Sequence, residues 1–235
     1  MPSPITLSID VGATHVKAQA LGARGRALDE PWKVNTPTRL SPTKLLDLLV
    51  DLAERHAPFD RVSIGLPGLV RRGIVYALPL LGDRRLHSYP LGDLVADRLD
   101  RPVRIVNDAE MHALGVVKRR GVEVVLTLGT GLGSAVFLDG HLGPRLAIMT
   151  PTGGRGPIGG AYGAAARDKI GNSRWGKRVL ALIEELRRVT NFDHCYVGGG
   201  NAKLIRGRLP RGVRRIDNTA AALGGVRLWE WDVET

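Results

Sequence analysis

The stretch "VEVVLTLGTGLGSAVFLDG", residues 122–140, places a glycine-rich turn between two runs of apolar and β-branched residues. Such runs on either side of a turn predict two strands that the turn connects. The dinucleotide-binding pattern needs Gly-x-Gly-x-x-Gly before a helix, and a P-loop ends in Gly-Lys-Ser/Thr, so this turn is neither. Thr127 and Thr130 place hydroxyls beside the bare backbone of Gly129 and Gly131, and this combination favours a bound phosphate.

A similar strand–turn–strand pattern occurs near the start of the chain, where "ITLSID" leads into "DVGATHVK", residues 10–17. Gly12 is expected to allow an unusual backbone angle, Thr14 and Lys17 can reach an anion, and the backbone amides can cradle a phosphate. Asp10 suits a magnesium ion held through water, because magnesium keeps most of its water shell. An ordinary hairpin turn explains the same residues equally well.

Helices and strands alternate along the rest of the chain. The stretch "SPTKLLDLLVDLAERHA", residues 41–57, predicts an amphipathic helix with Ser41 as its N-cap and Pro42 in its first turn. Further helices are expected over 91–100, 109–121, 173–189 and 218–231, and further strands over 61–70 and 102–108. This order predicts an α/β fold with a mixed sheet in each half of the chain. The segment 145–172, rich in Gly, Pro and Ala, is expected to be a long surface loop.

Asp108 follows the apolar strand "PVRIVN" and precedes a helix, which places it at the carboxyl edge of the predicted sheet. Ligands bind open α/β sheets at this edge. A partly buried carboxylate there can take the proton of a hydroxyl as that hydroxyl attacks phosphorus. The alternative is that Asp108 only caps the helix, since Asp and Asn are favoured at N-caps. Glu110 and His112 follow on the helix and are interpreted as structural.

A triple glycine follows another apolar strand in "HCYVGGGNAKLI", residues 194–205. Gly198, Gly199 and Gly200 are expected to open a helix, so that a flat or phosphorylated ligand lies on the backbone near the helix N-terminus. A tight turn between strand and helix is the alternative.

Composition limits the class of protein. The chain has 235 residues, of which 43% are hydrophobic and 24% are charged, and this predicts a globular protein of one large or two small domains. We find no apolar run of membrane-spanning length and no signal-peptide pattern, so we expect a cytoplasmic protein without a membrane segment. The single cysteine, Cys195, excludes an internal disulfide and a multi-thiolate zinc site. The net charge of +11 fits either a polyanionic partner or solvated surface charge.

Taken in order, the motifs resemble those of the ROK family of sugar kinases, within the actin/hexokinase ATPase superfamily. They are "IDVGATHVK", "GLPGLV", "VNDAEMHALG", "TLGTGLGSAVFLDGHL", "VGGGNAK" and "NTAAALGG". The resemblance covers about residues 5–230 and is greatest for the polyphosphate/ATP glucokinase branch. It implies a two-lobed actin-like ATPase (ribonuclease H-like) fold. Residues 1–112 would form the N-terminal lobe, with 217–235 packed back on it, and 113–216 would form the C-terminal lobe.

The resemblance also implies a reaction and roles for individual residues. Asp108 would be the base that deprotonates the 6-hydroxyl of a hexose such as glucose, and Asp10 would serve magnesium. Pro67, Gly68, Asn107 and Asp108 would contact the sugar. The phosphoryl donor, ATP or polyphosphate, would be held by Asp10, Gly12, Thr14, Lys17, Thr127, Gly129, Thr130, Gly131, Gly198, Gly199 and Gly200. A homodimer is implied, and neither zinc nor a DNA-binding domain is expected.

Three positions depart from the family pattern where relatives contact sugar. Ala147 falls at a glutamate position, Thr150 at a histidine position and Pro79 at an asparagine position. Each lost hydrogen bond costs roughly 0.5–1.5 kcal/mol when neutral and about 1.5–3 kcal/mol when charged. Three hypotheses stay open: a glucose-type kinase with a rebuilt acceptor site, a kinase for a different acceptor, and a non-catalytic protein that binds a nucleotide or phosphate.

Overall fold

The computed structural model describes residues 3–56, 58–79, 81–82, 84–144, 158–217 and 219–231. These residues form two compact units. The first unit contains the described residues up to Gly115 and from Ala221 onward, and the second contains those from Val116 to Ala220.

A five-stranded mixed sheet forms the centre of the first unit. The strands of this unit are β1 (Thr6–Val11), β2 (His15–Leu21), β3 (Trp32–Asn35), β4 (Arg61–Leu66), β5 (Leu69–Arg71), β6 (Ile74–Ala77) and β7 (Val103–Asn107). The sheet order is β3-β2-β1-β4-β7, with β5 and β6 paired separately as a hairpin. Strands β3, β2 and β1 are successively antiparallel, whereas β4 and β7 run parallel to β1.

A second five-stranded mixed sheet forms the centre of the second unit. Its strands are β8 (Val122–Leu128), β9 (Leu132–Leu138), β10 (His141–Leu142), β11 (His194–Gly198) and β12 (Val213–Arg215). The order is β10-β9-β8-β11-β12, with two antiparallel pairs on one side of β8 and two parallel pairs on the other. The two sheets therefore share both their strand order and their strand directions.

Helices flank both sheets. They are α1 (Pro42–Glu54), α2 (Leu91–Leu99), α3 (Asp108–Leu114), α4 (Ala164–Ile170), α5 (Asn172–Thr190) and α6 (Ala220–Arg227). Helix α1 confirms the predicted start, because the Ser41 hydroxyl accepts a hydrogen bond from the Lys44 N–H and Pro42 lies in the first turn. Leucines at helical spacing, such as Leu45 and Leu49, are fully buried in the first core.

Each unit has its own core of buried apolar residues. In the first unit Leu7, Ile9 and Ile64 from the sheet pack with the buried leucines of α1. In the second unit Trp175 and Ile183 of α5 pack on the strands. No helix among the described residues is long and apolar enough to cross a membrane.

The helix expected over 109–121 is much shorter in the structure, since α3 ends at Leu114. The buried carboxylate of Glu123 accepts hydrogen bonds from the backbone N–H groups of Lys118 and Arg119 at 2.8 and 2.9 Å. These backbone donors are satisfied without a helix, and the partner that satisfies them lies on β8. The Leu114 and Gly115 carbonyls at the helix end accept from Arg227 at 3.1 Å each, and this contact with a distant part of the chain has no local sequence signal.

Two further expectations about loops need correction. The segment 145–172 is not a loop throughout, because α4 lies within its described part. The triple glycine does not open an α-helix; it is followed by a single 3₁₀ turn at Ala202–Leu204.

Candidate active site

Asp108 is the first residue of α3, immediately after β7. The N-cap of this helix is Asn107, whose side-chain oxygen accepts from the Ala109 N–H at 3.0 Å. The alternative that Asp108 serves only as the N-cap is therefore wrong. Its carboxylate, which accepts from the Ala109 N–H at 2.9 Å, remains at the carboxyl edge of the sheet where the sequence predicts it.

The pKa of Asp108 is raised from its ordinary value to about 6. Burial contributes most, because it disfavours the charged carboxylate, and the negative charge of Asp10 contributes next. The Ala109 N–H and His112 act in the opposite direction without cancelling these effects. A carboxyl group with a pKa close to neutrality is suited to exchange a proton with a substrate hydroxyl.

His112 lies beside Asp10, with 3.7 Å between its Nε2 and the Asp10 Oδ2. The sequence interpretation treated Glu110 and His112 alike, and the structure separates them. Glu110 is structural, since its carboxylate accepts from the Asn107 N–H at 3.0 Å and completes the N-terminal cap of α3. His112 belongs to the carboxylate cluster. Its spacing of four residues from Asp108 on a helix was the signal that places both on one face.

Gly65 on β4 allows α3 to approach the sheet closely. A Cβ at this position would lie 2.7 Å from Met111 Cε and 3.4 Å from Asp108 Cα. A Cβ there would force the Met111 side chain to move, and the Asp108 Cα would be at the edge of ordinary contact distance. Sequence analysis did not single out Gly65, because the helix that needs the space lies some forty residues further along the chain.

The turn at Pro67 and Gly68 is held by Asn107. The Asn107 side-chain amide donates to the backbone oxygens of Leu66 and Gly68 at 3.2 and 3.0 Å. Both of its donors are thus used within the protein, and only acceptor capacity on its oxygen remains for a ligand. The structure places Asn107, Pro67 and Gly68 together next to Asp108.

The turn between β1 and β2 brings Gly12, Thr14 and Lys17 close to Asp10. The sequence predicts an unusual backbone angle at Gly12, and the structure shows no positive φ there. A glycine is required for a different reason, because a Cβ would lie 2.9 Å from the His15 carbonyl oxygen, to which the Gly12 N–H is bonded at 3.0 Å. Thr14 and Lys17 are exposed, and Lys17 lies opposite Asp10 in the β1–β2 ladder.

Asp10 offers a single carboxylate to a magnesium ion. Its side chain is 23% exposed, so one carboxylate faces solvent. Within the described residues, no group of three or more His, Cys, Asp or Glu side chains could hold a metal ion. A single carboxylate is compatible with magnesium that keeps its waters and is otherwise bound by donor phosphates.

The second unit brings its two glycine clusters together. The Asn201 side chain, directly after the triple glycine, donates to the Gly129 carbonyl at 2.9 Å, and the Asn201 N–H donates to the Leu128 carbonyl at 3.0 Å. Helix α4 also contacts this turn, with the Ala164 N–H 3.1 Å from the Gly129 oxygen. Thr130 is exposed at its tip and Thr127 lies half-buried at the end of β8.

Among Gly198, Gly199 and Gly200, only Gly199 has a backbone conformation that favours glycine. It has φ of +83°, and a Cβ would lie 2.5 Å from the Leu128 oxygen. Arg167 of α4 donates to the Asn201 side-chain oxygen, so a cation lies beside the glycines. Arg167 was not predicted as a site residue, because it lies within the stretch expected to be a loop.

The sugar-contact positions where the sequence departs from the family pattern divide into two groups. Ala147 and Thr150 lie outside the described residues. Pro79 is exposed and follows the β5–β6 hairpin. Gly68 packs directly against the Ala77 carbonyl and Leu78 of that hairpin end, so Pro79 adjoins the turn at Pro67 and Gly68.

The family model described as ROK family matches residues 6–145, which is more than half of the chain. The chain belongs to the ROK family. The first three motifs in the chain and the glycine turn of 129–131 lie within the matched residues, so this result confirms the resemblance seen in the sequence.

Curated relatives of this ROK protein are sugar kinases. It is 24% identical over 241 residues to polyphosphate glucokinase of Mycobacterium leprae (strain TN), covering 96% of this chain and 74% of that protein. It is 29% identical over 254 residues to N-acetylmannosamine kinase of Escherichia fergusonii, covering 87% of this chain and 85% of that protein. These relatives support a ROK sugar kinase, and hence a phosphotransferase, as the general class.

A solved structure confirms the fold. The inorganic polyphosphate/ATP-glucomannokinase from Arthrobacter sp. strain KM matches with a TM-score of 0.85 and 23% identity, over 97% of this chain and all of that chain. A ROK family glucokinase from Streptomyces griseus matches with a TM-score of 0.72 and 20% identity, over 95% of this chain and 98% of that chain. The ROK protein therefore has the expected actin-like ATPase fold, with a mixed sheet and flanking helices in each unit.

Proposed function

We propose that this ROK protein transfers a phosphoryl group from polyphosphate or ATP to the 6-hydroxyl of a hexose such as glucose. The observation that carries the proposal is Asp108, a partly buried carboxyl group with a pKa of about 6 at the carboxyl edge of the sheet, beside Asp10. Its relatives named as polyphosphate glucokinase and N-acetylmannosamine kinase support the same class of reaction.

Asp108 acts as the general base. As the sugar oxygen forms its bond to the terminal phosphorus, the bond from that phosphorus to the bridging oxygen of the donor breaks. The hydroxyl proton passes to the Asp108 carboxylate, and the shortened donor leaves with the bridging oxygen's charge. Asp10 would hold a magnesium ion through water, and such an ion would neutralise charge on the donor phosphates.

The other candidate residues position the two substrates in this proposal. Asn107, through its oxygen, and the turn at Pro67 and Gly68 contact the sugar. The exposed Thr14 and Lys17 and the backbone at Gly12 hold phosphates on the first unit. On the second unit the phosphates and nucleotide are held by Thr127, Gly129, Thr130, Gly131, Gly198, Gly199 and Gly200. A cytoplasmic homodimer completes the proposal.

The test is a phosphorylation assay over a panel of sugars, with ATP and polyphosphate as separate donors. Turnover of at least one hexose with one donor is expected. Asp108→Asn removes the base while preserving size, so turnover falls and donor binding is retained. Asp51→Asn makes the same change on an exposed position of α1 and controls for lost charge. Turnover that survives Asp108→Asn would show that another group is the base.

A different acceptor is the second candidate, and the exposed Pro79 favours it. A proline side chain has no donor or acceptor, so it cannot bind a sugar hydroxyl at this position beside the Gly68 turn. Phosphorylation of a compound other than a neutral hexose would establish this version. Tight nucleotide binding without turnover of any acceptor would instead identify a non-catalytic phosphate-binding protein.

A further inference from the structure

A strongly basic segment, residues 203–215, follows the triple glycine of the second unit. It contains six cations, and no Asp or Glu occurs between Asp193 and Asp217. The structure describes the whole of this basic segment, and all six cations are exposed. They are Lys203, Arg206, Arg208, Arg211, Arg214 and Arg215. A surface on which one sign of charge dominates in this way attracts a polyanion.

The basic segment is anchored in the core of the second unit. Ala202, Ile205 and Val213 are buried there among the apolar residues of α5 and the sheet. The Arg215 guanidinium donates to the Ile205 carbonyl, which ties β12 to the start of the segment. Apolar residues therefore face inward at intervals, while the cations between them stay in solvent at defined places.

Three cations of the basic segment keep their charge available. The side chains of Lys203, Arg206 and Arg208 have no partner among the described residues. Arg188 on α5 differs in this respect, because it pairs with Glu185 at 2.7 Å. An unpaired exposed cation can contact an anion without first giving up an ion pair within the protein.

The basic segment begins beside the glycine turns that would hold the donor phosphates. The Asn201 side chain donates to the Gly129 carbonyl at 2.9 Å, and Lys203 is only two residues further along the chain. Arg167, which also pairs with Asp168 at 2.7 Å, donates to the side-chain oxygen of the same Asn201. Positive charge therefore continues from the glycine turns into the basic segment.

The composition of the basic segment favours a polyanion without bases. Residues 203–215 include no Phe, Tyr or Trp. The aromatic residues of the unit's core, Trp175, Phe192 and Tyr196, are buried. Single-stranded nucleic acids bind to such grooves with their bases stacked on exposed aromatic side chains, whereas a chain of phosphates needs only positive charge. Polyphosphate therefore fits this surface better than nucleic acid.

We propose that the basic segment binds the chain of a polyphosphate donor, beyond the phosphates held at the glycine turns. The inference rests on the proposed function and specifies long polyphosphate, rather than ATP, as the donor that this surface recognises. Lys203, Arg206 and Arg208 contact phosphates that do not react. Their contribution is the same before and during transfer, so it lowers the KM for the donor and leaves kcat unchanged.

The test compares long-chain polyphosphate, tripolyphosphate and ATP as donors, with the acceptor that the sugar panel identifies. In the triple variant Lys203→Gln, Arg206→Gln, Arg208→Gln, the KM for long-chain polyphosphate should rise at least about tenfold, from three lost contacts of a few-fold each. The KM values for ATP and tripolyphosphate should change less than about twofold, and kcat should be retained. The KM for long-chain polyphosphate should also become less sensitive to salt, because fewer counterions are released on binding.

The triple variant Arg24→Gln, Arg26→Gln, Lys44→Gln is the matched control. It removes two arginines and one lysine from exposed positions of the first unit, so the net charge falls by the same amount. The control should retain the wild-type KM for each donor. Thermal melting of both variants establishes that each is folded before rates are compared.

An unchanged KM for long-chain polyphosphate in the first triple variant, or an equal rise in the control, would overturn the proposal. An equal rise in the KM for ATP would also overturn it, because the segment would then serve every donor. If no acceptor is phosphorylated, the proposed kinase function fails, and calorimetric titration with long-chain polyphosphate decides about the segment. Binding that weakens in the first variant and not in the control would still support the site. Absence of binding, or tighter binding of poly(dT) than of polyphosphate, would refute it.

Discussion

The two units share one sheet topology and carry different chemistry at equivalent positions. In the first unit, Asp10 on the central strand pairs with Lys17 on the antiparallel neighbour and Gly65 on the parallel neighbour. In the second unit, Thr127 occupies the same place in the pattern, opposite Gly133 and Gly198. An ionisable pair in one sheet therefore corresponds to a hydroxyl and a glycine in the other.

The shared feature is the glycine on the parallel neighbour. A Cβ at Gly65 would lie 2.7 Å from Met111, and a Cβ at Gly198 would lie 2.7 Å from Ile216. In each unit this glycine admits the chain that follows the next parallel strand. Both units therefore have a glycine where a side chain from the following segment packs closely, while the residue paired with it is an ionisable Asp10 in one sheet and an uncharged Thr127 in the other.

The comparison is tested most strongly by removing one side chain from each unit. Asp108→Asn should lower kcat by roughly 10²–10⁴, the usual contribution of a general base. Thr127→Val should lower kcat/KM only about two- to tenfold, because it removes one neutral hydrogen bond. Steady-state kinetics with the best sugar and donor measure both. Equal losses would mean that the two edges do not differ in chemical role.

Backbone geometry in the second unit predicts the largest change in stability. Gly199→Ala places a side chain at φ of +83° and against the Leu128 carbonyl. The free energy of unfolding should fall by about 2–4 kcal/mol, from left-handed strain and the forced backbone shift. Gly200→Ala is the control, since a Cβ there meets no atom within 4 Å. Denaturant unfolding of both variants gives the difference; similar values would argue against the tight turn.

In the first unit, by contrast, replacing Asp108 is expected to increase the free energy of unfolding. The pKa of Asp108 is about 6 when folded, against an ordinary value of 3.8, so the folded state loses stability as pH rises through this window. Asn cannot ionise, so Asp108→Asn should be more stable than wild type by about 1–3 kcal/mol at pH 7. The advantage should vanish below pH 4. Unfolding measured at pH 4 and pH 7 checks this, and a constant difference would contradict it.

The smallest expected effect concerns the pH profile of the reaction. The rate should fall as pH drops through about 6, where Asp108 becomes protonated. His112 lowers the pKa of Asp108, so His112→Gln should move this acid limb to higher pH. Thr127→Val, which changes no charge, should leave it in place. A kcat/KM profile measured for the three proteins distinguishes a histidine that acts on Asp108 from one that only fills space.

The sequence predicted the parts of the fold that local patterns determine. The glycine turn between β8 and β9, the capped start of α1 and the placement of Asp108 after β7 all follow from residues close together in the chain. The end of α3 did not, because the carbonyls of Leu114 and Gly115 accept from Arg227, more than a hundred residues further along the chain. Such contacts join distant residues, so a local pattern contains no signal for them.

Some residues of the candidate site could be predicted from local sequence patterns, and others could not. Asp10, Asn107 and Asp108 were found from strand ends and motif resemblance. The roles of Gly65 and Arg167 required the structure, because each is defined by what packs against it. The four-residue spacing between Asp108 and His112 could have identified His112 as a neighbour of the site, but the sequence interpretation treated His112 as structural.

The first unit is discontinuous, and this affects how the protein forms during synthesis. The buried Ser63 hydroxyl donates to the Gly225 carbonyl at 2.6 Å, and the Trp229 indole donates to the same hydroxyl at 2.8 Å. The described part of residues 116–220 forms the second unit, and this stretch emerges from the ribosome before Gly225 does. The first unit therefore makes these contacts around Ser63 only after the whole of the intervening unit has been synthesised.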